Sequence, residues 1–128
     1  VTQSITAAGV PTLVQFNVET FDTNANYDTG AYTFTPTIAG YYQLHGQVRF
    51  TNVAANDAVG IWIYKNGTAI GFYHKHTGDI DGSISVTCTA SANGTTDYFN
   101  VYCHQDNGVA KLISGLDIEC YFCGFWIN

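Results

Sequence analysis

Apolar and polar residues alternate with a period of two along most of this chain, which predicts strands rather than helices. The longest run is Tyr41 to Phe50. Tyr42, Leu44, Gly46, Val48 and Phe50 share one face; Tyr41, Gln43, His45, Gln47 and Arg49 share the other. A shorter run precedes it, Ala31 to Thr35 with Tyr32 and Phe34, and Pro36 closes that run because proline donates no ladder bond. Thr37 to Gly40 then turns the chain. Val14, Phe16 and Val18 predict an earlier strand, and Ile84, Val86, Cys88 and Ala90 form one face of a later one.

Ala58 to Tyr64 is a further strand, apolar on both faces, and it leads into Lys65-Asn66-Gly67-Thr68. Asn-Gly between two strand-like runs predicts a hairpin, because both residues tolerate the positive φ of a type I′ turn. Ala69 to His76 is the return strand. Between Asp97 and Gln105, Phe99, Val101 and Cys103 are expected to face the core, with Tyr98, Asn100, Tyr102 and His104 outward. Asp106-Asn107-Gly108 turns again, Val109 to Ser114 is short, and Asp117 to Ile127 is the last strand. About nine or ten short strands at regular spacing, with no helical stretch, predict an all-β sandwich.

A length of 128 residues fits one domain, residues 1–128, large enough for a core. Ten acids against four Lys and Arg give a net charge of −6, which argues against nucleic acid and against an anionic membrane surface. No apolar run reaches the ~20 residues of a membrane helix, so no membrane insertion is expected. Charged residues make up only 11% of the chain, while nine tyrosines and eight phenylalanines make it aromatic. Thr, Asn and Gly take the surface role of Lys and Glu, a style that suits a stiff extracellular or virion protein packed against its own copies. The chain opens on Val1, which reads as the start of a C-terminal fragment of a longer protein.

The four cysteines, Cys88, Cys103, Cys120 and Cys123, lack a second Cys-x-x-Cys pair for a zinc site. They read as small core hydrophobes, with cross-strand pairing of Cys88 and Cys103 as the alternative. No Gly-x-Ser-x-Gly elbow, catalytic cysteine framework or phosphate loop occurs, and His104 directly follows Cys103, so the two face opposite ways. No enzyme is expected.

One polar cluster stands out, Tyr73-His74-Lys75-His76-Thr77-Gly78-Asp79-Ile80-Asp81. His74 and His76 share a strand face at a spacing suited to metal binding or pH sensing; two idle surface histidines are the bland alternative. Asp79-x-Asp81-Gly82 departs from a calcium loop, because Ala90 stands where an EF-hand needs Glu. Receptor contacts are expected from Tyr73, His74, His76, Asp79 and Asp81, together with Gln105, Asp106 and Asn107 of the following turn.

Several motifs together resemble the globular head of complement component 1q and its tumour-necrosis-factor-like relatives. They are Tyr27-Asp28, Gly30, Phe34-Thr35-Pro36, then Gly40-Tyr41-Tyr42 opening a long strand, and Phe122-Cys123-Gly124-Phe125 near the end. Asp97 to Tyr102 stands at the family's Gly-Asp strand, with Thr96 in place of the glycine; Thr35 replaces its cysteine. The resemblance covers roughly residues 10–128. It implies a ten-strand jelly-roll β-sandwich, association of three heads around an axis, and calcium near the apex in some members; no other cofactor is implied. Tyr98, Asn100, Tyr102 and His104 are then the expected subunit contacts, with ligand binding as the alternative, since outward tyrosines are enriched at interfaces. The expected function is a homotrimeric head of a viral or phage fibre or spike, on the virion surface or otherwise extracellular. Its partner would be a host cell-surface glycan or protein. The alternatives are a structural trimerisation cap or capsid decoration, and a secreted signalling or immune-recognition ligand.

Overall fold

The computed structural model describes residues 2–6, 9–76 and 82–128 of the chain. In chain order its strands are β1 (Gln3–Ile5), β2 (Thr12–Leu13), β3 (Tyr27–Asp28), β4 (Thr33–Phe34), β5 (Gly40–Phe50), β6 (Ala58–Lys65), β7 (Thr68–His76), β8 (Gly82–Ala92), β9 (Phe99–Gln105), β10 (Lys111–Ile113) and β11 (Tyr121–Trp126). They form two antiparallel sheets. In sheet I, β5 lies between β8 on one side and β10 and β11 on the other, and β1 lies beyond β10. Sheet II runs β3-β4-β9-β6-β7, with β2 also against β9. The architecture is an all-β, jelly-roll-like sandwich.

Period-two alternation builds the core directly, since one side of each strand must leave water. Leu44, Val48 and Phe50 of β5 are buried, as are Ile84 and Val86 of β8. From sheet II they meet Val59, Ile61 and Ile63 of β6 and Phe99, Val101 and Cys103 of β9. The residues of β5, β8 and β9 lie on the faces expected from the sequence. The β6–β7 hairpin also forms as expected. Asn66 (φ 51°) and Gly67 (φ 81°) take the two positive φ values of the turn, with a bulge between Ile63 and Tyr64.

Three expected strands are shorter than their patterns. Val14 keeps one bond to sheet II, through its amide to the Val101 carbonyl (2.9 Å), and residues 15–20 then leave the ladder. Phe16 stacks instead on Phe122 of β11, with ring centroids 6.3 Å apart. Residues 28–32 form a turn, because the Asp28 carboxylate accepts the amides of Gly30 and Ala31 and the Asp28 carbonyl accepts that of Tyr32. Residues 116–120 turn in the same way, with the Glu119 and Cys120 amides donating to the Leu116 carbonyl.

Gln105, fully buried, ties one end of the sandwich together. Its Nε2 donates to the carbonyls of Thr6 (3.0 Å) and Val109 (3.2 Å), and its Oε1 accepts the Asn107 amide (2.7 Å). Beside it, Asn107 Nδ2 donates to Asp57 Oδ1 (2.8 Å), and Lys111 Nζ lies 3.4 Å from Asp57 Oδ2. All four cysteines are free thiols.

Candidate functional site

The two outward faces of the sandwich differ in chemistry. On sheet I, Gln43, His45, Gln47 and Arg49 lie opposite Thr89, Thr87, Ser85 and Ser83 of β8, an ordinary solvated face. On sheet II the outward residues are mostly rings. Trp62 of β6 lies opposite Tyr102 of β9 on one side and Phe72 of β7 on the other. Tyr64 stacks on Tyr102 with ring centroids 4.4 Å apart.

Histidines extend this surface. His104 lies 4.7 Å from Trp62 and stacks on His74 at 5.5 Å, and His76 stands edge-on to His74 at 5.7 Å. Gly60 makes the arrangement fit. It lies opposite both His104 and His74, and a Cβ built on it would fall 2.5 Å from the His104 ring. Only a residue without a side chain leaves room for the imidazole to lie over β6. Burial and then the neighbouring His74 push the His104 pKa below the usual histidine range, while Asp106 opposes them. Its Nδ1 is buried without a hydrogen-bond partner. Phe72, 66% exposed, caps the open side of the surface.

The expected contact residues separate in space. His74 and His76 reach this surface; Tyr73 alternates to the other face of β7, where it borders a small hollow with Gln47, Ser83 and Ser85. Gln105 is buried and fully used in the hub. Asp106 accepts the Ala58 amide (2.7 Å), and Asn107 is engaged with Asp57 and Val109. Asp79 and Asp81 lie outside the described residues. Asn100, Tyr102 and His104 share the outward face of β9, opposite Tyr64, Trp62 and Gly60, while Tyr98, just before β9, is half-buried and its amide donates to Asn66 Oδ1 (3.0 Å). Asn100 is nonetheless buried, and Tyr102 and His104 are half-buried against rings of their own chain.

Trp62, Tyr64 and Phe72 complete the surface and were not singled out by motif. Their signal was the apolar character of Ala58–Tyr64 on both faces, since a strand with one core face needs no second apolar one. Chemically the site offers flat ring surface. Among the described residues, no group of three or more His, Cys, Asp or Glu side chains is placed to hold a metal ion. No family model matches the chain, and no curated protein matches it.

Proposed function

We propose that the chain is a non-enzymatic binding head of the complement 1q/tumour-necrosis-factor-like kind, carried as a homotrimer on a viral or phage fibre or spike. It recognises a host cell-surface glycan through the outward face of sheet II. One observation carries this reading: Trp62, Tyr64, Phe72, His74, Tyr102 and His104 lie side by side on one sheet face. Aromatic rings on a rigid strand framework lose little conformational freedom on binding and suit the C–H faces of sugar rings. Three such faces on one head act together, so weak single sites suffice. In support of the fold kind, Gly40-Tyr41-Tyr42 opens β5, and Phe122-Cys123-Gly124-Phe125 lies in β11 beside it.

Light scattering after size exclusion tests the assembly; the expected mass is three times 13.9 kDa. Glycan-array binding tests recognition. Phe72→Ala, at an exposed position, is expected to keep the fold and weaken array signals at least tenfold. A monomer that binds no glycan would refute the reading.

A structural cap is the second reading, favoured by the half-buried Tyr102 and His104. If sheet II is a subunit contact, Phe72→Ala dissociates the trimer instead of abolishing binding.

A further inference from the structure

β11 ends sheet I at an open edge. The Ile127 amide donates to the Tyr41 carbonyl (2.8 Å), so by antiparallel alternation Phe125, Cys123 and Tyr121 also turn their amides toward β5. Phe122, Gly124 and Trp126 therefore turn their backbone groups outward. Among the described residues no strand pairs with that outward row, and no loop backbone bonds to it. Edges of this kind are usually blunted by lysine, proline, a bulge or a covering segment. Tyr121–Trp126 contains no charge and no proline.

Beside the edge, between the two sheets, lies a cavity of about 560 Å³. Its inner wall is aromatic: Phe16, Tyr27, Phe34, Tyr42 and Phe122 line it, and Phe122 touches the rings of Phe16, Tyr27 and Phe34. Around its mouth, Val18, Phe21 and Trp126 leave large apolar surface in water; Phe21 is 82% exposed. The charges lining it are Glu19, Asp22 and Asp117, with no Lys, Arg or His. An unpaired ladder row, an apolar cavity and an acidic rim thus occur in one place.

We infer that this edge binds an extended segment of a partner protein by strand addition. Alternate apolar side chains of the segment enter the aromatic cavity, and a flanking lysine or arginine meets Glu19 and Asp117. Main-chain hydrogen bonds supply affinity in such pairing, and the pockets for alternate side chains supply selectivity. Charge decides the occupant. A second copy would bring the same acidic rim and a net charge of −6 to the contact, whereas a cation-flanked apolar strand complements it.

The test uses a fluorescein-labelled peptide of alternating valine and threonine with lysine at both ends, titrated with the intact chain by anisotropy. Two further peptides carry N-methyl groups on every second residue, in opposite registers. Strand addition predicts saturable binding, weakened at least tenfold by one register of methylation and unchanged by the other. Glu19→Gln with Asp117→Asn, both exposed positions, is expected to weaken the lysine peptide three- to tenfold and leave a glutamine-flanked peptide unaffected. Absence of saturable binding, or equal sensitivity to both methylation registers, would overturn the inference. So would self-association that the doubly lysine-flanked peptide reverses, because a second copy would then hold the edge. The edge and the ring face of sheet II belong to different sheets, so failure of the glycan test leaves the peptide test intact.

Discussion

Gly60→Ala puts the packing of the histidine and tryptophan surface to a quantitative test. The added Cβ would meet His104 Cε1 at 2.5 Å and Nδ1 at 2.6 Å, with Trp62 Cη2 next at 3.3 Å. Ordinary carbon contacts lie at about 3.5–4.0 Å, so the imidazole must retreat by about 1 Å. It has little room, held between Trp62 at 4.7 Å and His74 at 5.5 Å. Overpacking of this kind costs about 1–3 kcal/mol, and lost ring contact adds about 0.5–1.5 kcal/mol. Alanine in a strand recovers about 0.5–1 kcal/mol relative to glycine. The net expectation is destabilisation by about 0.5–4 kcal/mol, centred near 2, measured by urea unfolding. In a His104→Ala background the main obstacle is gone, Trp62 Cη2 need give only by a few tenths of an ångström, and the penalty of Gly60→Ala should fall to about zero. An equal penalty in both backgrounds would refute the contact as the reason for the glycine.

Other consequences are open to simpler measurements. Gln105→Leu strands the Thr6 and Val109 carbonyls and the Asn107 amide, and should cost about 2–4 kcal/mol in urea unfolding. Lys111→Met removes the buried ammonium 3.4 Å from the Asp57 carboxylate, with an expected loss of about 3 kcal/mol in the same assay. The folded-state pKa of His104 lies below its unfolded value, so the unfolded chain binds the extra proton. Its contribution should be fully present above pH ~6.5 and be lost as pH falls through the folded pKa, and the stability difference between wild type and His104→Gln should shrink over that window. Burial pushes the Cys103 thiol far above its ordinary pKa, so Ellman's reagent should modify it only as the chain unfolds, with the exposed Cys123 reacting earlier.

Alternation made the sandwich legible, because burial on one side of a strand leaves a direct trace in sequence. β5 and β8 show this residue by residue, β9 does so apart from the buried Asn100, and the Asn66-Gly67 hairpin follows from backbone sterics alone. The shortened strands at residues 14–18, 31–35 and 117–120 were not legible. There an Asp28 carboxylate, the Leu116 carbonyl and a ring pair between Phe16 and Phe122 compete with the ladder, and two of these depend on local turn geometry that a period of two does not encode. At the candidate site, the outward set of β9 was readable, whereas its partners Trp62 and Phe72 required the register between β6, β7 and β9. Gln105 shows the opposite case. As a polar residue before a turn it read as surface, yet an amide that can donate and accept at once suits a buried crossing of several chain segments.

Three turns of this chain place an asparagine before glycine, and each asparagine side chain lies against an aspartate. Asn66 Nδ2 donates to Asp97, Asn93 accepts the Asp97 amide through Oδ1, and Asn107 Nδ2 donates to Asp57. Spontaneous deamidation, to which Asn-Gly is prone, would turn the Asn66 and Asn107 donors into carboxylates facing carboxylates. Chemical ageing would therefore act on the molecule as added negative charge at its own turns, and storage at mildly acidic pH, where deamidation is slow, would preserve it longest.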